Sequence, residues 1–344
     1  MQRLTLAKRA WLLFFFAAVV LYFYGLGRLP LVGPDEPRYT QVAREMFMRA
    51  DPVTPTLGGH AWFEKPPLLY WMMMASFSLF GVSEWSARFG PACSGLLTVL
   101  IVYWMGRHVR LTDETESQDG LGLWSSAALV TSAGLIVFSR GASLDIVLTL
   151  TLTAALACFF VSEVEADEKR RHWLFAGFYA GLGLSLLAKG LVGMILPFGV
   201  VATYFMLRRQ RPGRSAWISA AWGIPLALLV AAVWYAPMIA RHGWAFIDEF
   251  FIQHHFARYV SNKYHHPQPI YFYIPVIMTL CLPWTVFFLT ALGGAKRWNW
   301  RAPTPAGKLR VFAIAWLIVP IVFFSFSESK LPGYILPALP GAAL

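Results

Sequence analysis

Residues 142–162 read ASLDIVLTLTLTAALACFFVS, an apolar run broken by a single charge, Asp145. The run has about the length a helix needs to cross a bilayer. A charge deep in a membrane costs about 2.5–3.5 kcal/mol on insertion scales, so Asp145 requires a function or a partner. Similar runs lie near residues 11–27, 89–107, 121–139, 172–188, 190–207, 216–240, 270–292 and 309–326. The chain is 57% hydrophobic and only 14% charged, more apolar surface than water tolerates. The expected fold class is therefore all-α, a polytopic membrane protein. Cys93, Cys158 and Cys281 each sit inside an apolar run, where a thiol behaves as a small hydrophobe and no disulfide framework is implied.

The net charge of +11 has a topological reading. Arg3, Lys8 and Arg9 precede the first run, and no small-residue cleavage site follows it, so it reads as a retained helix rather than a signal peptide. With that N-terminus in the cytoplasm, most basic residues fall in cytoplasmic segments: Arg107 and Arg110, Lys169 to Arg171, Arg208 to Arg214, and Lys296 to Arg310. The positive-inside rule accounts for this charge without nucleic acid. The same arrangement brings Asp35, Glu64, Lys65, Asp145, Lys189, His255, Arg258, Lys330 and Tyr334 to the opposite, outer face.

The first outer loop is long enough for structure of its own. Tyr39, Val42, Ala43, Met46, Phe47 and Ala50 repeat at helical spacing opposite Arg38, Gln41, Arg44, Glu45 and Arg49, which predicts an interfacial helix over about 35–50. A second helix, over about 66–80, starts after Pro66 and Pro67 and is apolar all round but too short to span. Another outer segment, 242–270, mixes aromatic with charged residues and reads as an amphipathic helix at headgroup level.

Each outer polar residue has a plain reading beside a chemical one. Asp35, in PDEPRY, can act as a general base or simply cap the helix that follows. In FEKPP, Lys65 can hold a phosphate and Glu64 a metal, or the two can form an interfacial ion pair. Lys189, in LLAKGLVG, divides a stretch too long for one helix and so marks the turn of a hairpin. His254 and His255 can each share a helix face with Arg258; a histidine and a carboxylate are a zinc pair, but two ligands do not close a tetrahedral site, and His265 and His266 compete. Lys330 and Tyr334, in ESKLPGY, add a cation and a phenol. Four cations beside two or three carboxylates suit an anionic phosphate ligand and a base.

At these residues the chain resembles a known family. PDEPRYTQVAREM, FEKPPLLYW, ASLDIVL, the AKG turn, HHFARY, YFYIPVIMTLCLPW and SKLPGYILP occur in that order. Together they resemble the bacterial relatives of protein O-mannosyltransferases and of the aminoarabinose lipid A transferase. The resemblance implies a GT-C type, metal-assisted, inverting glycosyltransferase of the inner membrane. Its donor would be a sugar on a polyprenyl (undecaprenyl) phosphate, and its acceptor lipid A, a protein or another envelope hydroxyl or phosphate. Matching positions make Asp35 the principal catalytic carboxylate and Asp145 a second acid near the sugar. Lys65, Lys189, Arg258 and Tyr334 would surround the carrier phosphate, with Lys330 a weaker addition, and Glu64 and His255 would hold a divalent metal, zinc. FEKPPLLYW looks closer to the broad bacterial group than to the aminoarabinose branch, which leaves the acceptor open.

Residues 1–344 are expected to form a single transmembrane catalytic domain of about nine to ten helices, ending before the C-terminal helices and soluble outer domain of the family. The rival reading is a protein that binds or carries the same lipid-linked sugar without transferring it, including a shortened, inactive transferase. A binder needs the cations but not the base. A transporter should also have internal repeats or paired broken helices, and the sequence reading finds neither.

Overall fold

The computed structural model describes residues 6–109, 120–257 and 268–344. Among the described residues the regular elements are helical apart from one small hairpin. In order come α1 (Leu6–Phe23), α2 (Asp35–Met48), strands β1 (Thr56–Leu57) and β2 (His60–Ala61), α3 (Leu68–Phe80), α4 (Glu84–Gly106), α5 (Gly120–Val130) and α6 (Ala133–Ser139). Then follow α7 (Leu144–Val164), α8 (Glu168–Lys189), α9 (Val192–Arg208), α10 (Arg214–Ile247) and a π-helical segment, Asp248–Ala257. The last elements are α11 (Tyr273–Leu280), α12 (Thr285–Gly294), α13 (Pro305–Ser325), a 3-10 segment, Pro332–Ala338, and the short α14 (Leu339–Ala343).

The all-α, polytopic class read from the sequence is the observed one. Helix α7 is the central element: it packs on α4, α8, α9 and α13, and most of its residues are buried, including Ile146, Leu148, Leu152 and Phe160. Its partner α8 approaches closely because Gly181 lies against Ala155, where a Cβ would stand 2.9 Å from the alanine methyl. The outside of the bundle is apolar: Leu13, Phe16, Leu229, Val233, Val286 and Phe287 are exposed, the pattern of a protein solvated by lipid.

By length and composition, four helices among the described residues are suited to cross a membrane, or six if two bent pairs each count once. The bent pairs correct the straight spans expected over 121–139 and 270–292. Helices α5 and α6 meet at 61°, and the second pair, α11 with the helix starting at Thr285, at 118°. Each break supplies what the other lacks. The Ala133 amide donates to the Leu282 carbonyl at 2.8 Å, and Trp284 Nε1 donates to Thr131 Oγ1 at 2.8 Å. Exposed backbone groups at a helix break are costly in an apolar medium unless paired in this way.

The outer-loop helices form where the periodicity places them. Helix α2 buries Tyr39, Val42, Ala43 and Met46, the predicted apolar stripe. Helix α3 begins directly after the proline pair. The expected helix over 242–270 is interrupted: Gly243 takes φ +54° and bends α10, and the chain continues as the π-helical segment. Lys189 ends α8, and Gly190, at φ +67°, turns the chain into α9. That is the predicted hairpin, and it needs glycine because a side chain at this φ is strained.

Candidate active site

The loops at one end of the bundle enclose a cavity of about 350 Å³. Five separated segments line it: the start of α2 (Asp35, Tyr39), the loop before α3 (Glu64, Lys65), the start of α7 (Ser143 to Asp145), the end of α8 (Lys189), and the stretch after α13 (Ser327, Ser329, Gly333, Tyr334). Asp35, Glu64, Lys65, Asp145, Lys189 and Tyr334, all singled out in the sequence, therefore share one cavity. Lys330 does not line it. Its Nζ turns inward to the Ser327 carbonyl at 2.6 Å, because Ser327, Ser329 and Leu331 take the cavity side of an alternating stretch. Arg258 lies outside the described residues, and so does the side chain of His255, although its backbone belongs to the π-helical segment.

Asp35 is the first residue of α2, and no side chain caps that helix; the capping reading fails. Its carboxylate is about half exposed, with Arg38 Nη1 at 3.5 Å. The neighbouring Glu36 has the opposite surroundings. It accepts from the Val32 amide at 2.6 Å, the Ala142 amide at 2.6 Å, and Arg88 Nη2 at 2.7 Å. Arg88 is 4% exposed, and its guanidinium also donates to the carbonyls of Leu26, Leu29 and Pro30. Burial pushes the Glu36 carboxyl upward in pKa, but Arg88 and the two amides outweigh it and hold it below its ordinary value. This anchor ties the loop after α1, the start of α2, α4 and the entry to α7 into one unit, and so fixes Asp35 relative to Asp145. Sequence reading missed it, since Glu36 and Arg88 are 52 positions apart; a buried arginine in an apolar helix was the available signal.

Asp145 and Lys189 form a direct ion pair. The Lys189 ammonium also lies 4.4 Å from the centre of the Tyr334 ring, so Tyr334 meets the cation with its aromatic face. Gly333 packs against the Asp145 carboxylate with no space for a Cβ. A substitution there would displace the carboxylate or the SKLPGY stretch.

Lys65 Nζ lies 2.9 Å from Glu64 Oε1, and Arg38 lies 3.9 Å from Glu64 Oε2. The loop carrying this pair is held from α2. Glu45 accepts from Thr56 Oγ1 at 2.7 Å and from the amides of Gly58 and Gly59 at 2.8 and 3.2 Å, fixing the hairpin that leads into Trp62–Lys65. Burial acts upward on the Glu45 carboxyl, and these donors together with Gln41 bring it down to about 2. For a metal, the described residues are a poor fit. Both Glu64 oxygens face cations, and no group of three histidine, cysteine or acidic side chains converges among the described residues.

The family described as dolichyl-phosphate-mannose-protein mannosyltransferase matches residues 6–292. The chain belongs to this family. Among relatives of this chain are the undecaprenyl phosphate-alpha-4-amino-4-deoxy-L-arabinose arabinosyl transferases of Yersinia enterocolitica and Pseudomonas aeruginosa. Each is 32% identical over 98% of the chain. The chain spans 58% and 59% of their lengths. Of solved structures, ArnT from Cupriavidus metallidurans bound to undecaprenyl phosphate superposes with a TM-score of 0.84 at 31% identity, covering 96% of this chain and 58% of that one. The archaeal oligosaccharyltransferase AglB from Archaeoglobus fulgidus shares the fold at a TM-score of 0.65 and 15% identity, covering 98% of this chain and 50% of that one. The fold is thus the GT-C type of membrane glycosyltransferases expected from the sequence.

Proposed function

We propose that this chain carries the donor site of an inverting glycosyltransferase that takes its sugar from a polyprenyl phosphate on the outer face of a bacterial inner membrane. The observation that carries the reading is the single cavity combining the half-exposed carboxylate of Asp35 with the cations Lys65 and Lys189. The relatives' names supply the donor class, an undecaprenyl phosphate sugar.

In the proposed reaction, the acceptor oxygen attacks the anomeric carbon from the side opposite the carrier. Where the acceptor is a hydroxyl, its proton passes to Asp35. A new carbon–oxygen bond forms as the bond to the carrier phosphate breaks, and the phosphate leaves with the electron pair. Lys65 and Lys189 offset the charge growing on it. Asp145 orients Lys189 through their ion pair, and Tyr334 shields that ammonium from water. Arg258 is assigned to the same phosphate by resemblance. The resemblance also puts a divalent ion on Glu64 and His255; Glu64, facing Lys65 and Arg38, fits it poorly, and no step is routed through it. Metal analysis of purified wild type and Glu64→Gln tests it: stoichiometric metal lost in the variant supports the pair, and none in either removes it.

Charge supports this orientation. The cavity lies at the end of the bundle opposite the basic segments around Arg171, Arg208 and Lys308, which the positive-inside rule assigns to the cytoplasm. The acceptor is a hydroxyl or phosphate of lipid A, a protein or another envelope molecule. Mass spectrometry of lipids copurifying with Asp35→Asn, against Lys65→Ala, tests the donor reading. A polyprenyl phosphosugar enriched in Asp35→Asn alone supports it and names the sugar; no enrichment over Lys65→Ala contradicts it.

A further inference from the structure

The stretch that leaves α13 alternates. Ser327, Ser329 and Leu331 line the cavity, whereas Glu328 between them is exposed and Lys330 points into the protein. Internal bonds lock this stretch in place. Lys330 Nζ donates to the Ser327 carbonyl at 2.6 Å, Ser327 Oγ donates to the Ser329 carbonyl at 3.1 Å, and the Tyr273 hydroxyl donates to the Leu331 carbonyl at 3.3 Å. One polar group is left over. Ser329 is 1% exposed, and its hydroxyl has no hydrogen-bond partner among the described residues.

A buried hydroxyl without a partner is destabilising and calls for an explanation; of the side-chain groups in this condition among the described residues, Ser329 alone lines the cavity, where a ligand can complete it. Alanine or valine would fill the same place in an apolar wall without that penalty. The neighbouring Lys330, a cation by composition, cannot serve the ligand in this arrangement, because it holds the Ser327 carbonyl and with it the alternation that turns Ser329 toward the cavity.

We infer that Ser329 is a donor-binding residue whose hydroxyl bonds an oxygen of the lipid-linked sugar, and that Lys330 positions it without touching the ligand. This rests on the cavity being the donor site. The oxygen belongs either to the carrier phosphate or to a sugar hydroxyl; both are hydrogen-bond acceptors of the same kind, and the experiment separates them.

The test uses the full chain purified in detergent, with two probes: undecaprenyl phosphate and undecaprenyl phosphate-alpha-4-amino-4-deoxy-L-arabinose. Ser329→Ala should weaken binding about tenfold, the size of one good hydrogen bond, while the ligand-free melting temperature stays level or rises. A purely structural serine would do the reverse. Loss toward both probes assigns the phosphate, and loss toward the sugar-bearing probe alone assigns a sugar hydroxyl. Glu328→Ala, on the exposed side, should leave both affinities unchanged. Unaltered affinity of Ser329→Ala for both probes, with Lys65→Ala weakened, would overturn the role of Ser329 and leave the donor cavity standing. Wild type that binds neither probe would overturn both.

Discussion

The anchor beneath α2 and the cavity beside it place two adjacent carboxylates in contrasting settings. Glu36 is enclosed by two backbone amides and a nearly buried guanidinium. Asp35, one residue earlier, is half exposed, with the Arg38 guanidinium at 3.5 Å. A carboxylate with its hydrogen-bonding capacity filled holds structure and has little left for a substrate. One with open capacity, fixed in place by its saturated neighbour, is available for proton transfer. In the proposed function the DE pair would divide the work, Glu36 holding the frame and Asp35 taking the proton.

The largest effect in that comparison should come from breaking the anchor. Arg88→Ala leaves Glu36 buried without its cation and releases three carbonyls, a loss of about 3–5 kcal/mol for a buried pair deprived of one partner. Thermal unfolding in detergent should show a fall of many degrees or no folded protein. An unchanged midpoint would make the anchor incidental.

Next is the ion pair inside the cavity. Lys189→Ala should abolish measurable donor binding, and Asp145→Asn should weaken it about tenfold or more by releasing the lysine, with a stability loss of about 1–3 kcal/mol in each because the pair is only partly shielded. Equal donor affinity in Asp145→Asn and wild type would show that Lys189 needs no orienting partner.

The smallest effect concerns acid. Glu45 is held at about 2, below the ordinary value of about 4.3. Its contribution is therefore complete above the unfolded-state value and is lost as pH falls from there toward about 2. Glu36, also depressed, acts in the same direction. In Glu45→Gln, the melting temperature should fall less steeply with acid over that window than in wild type. Parallel curves would remove Glu45 from the acid response.

Much of this was legible in the sequence, for a physical reason. Charges that interrupt apolar runs are expensive, so Asp145 and Lys189 stood out, and Glu64, Lys65 and Tyr334 lay at segment ends that topology gathers on one side. The structure adds what depends on distant partners. Glu36 and Arg88 meet across 52 positions, the breaks near 131 and 283 satisfy each other across the bundle, and Lys330 turns inward on a local bond that charge patterning does not predict.

The central claim is that Asp35 reacts and Glu36 holds. The direct test is the release of undecaprenyl phosphate from a sugar-bearing donor in membranes containing wild type, Asp35→Asn or Glu36→Gln, with melting temperatures measured alongside. Asp35→Asn should lose about 100-fold or more in turnover at an unchanged melting temperature, while Glu36→Gln should lose melting temperature. Turnover in Asp35→Asn equal to wild type would contradict the account.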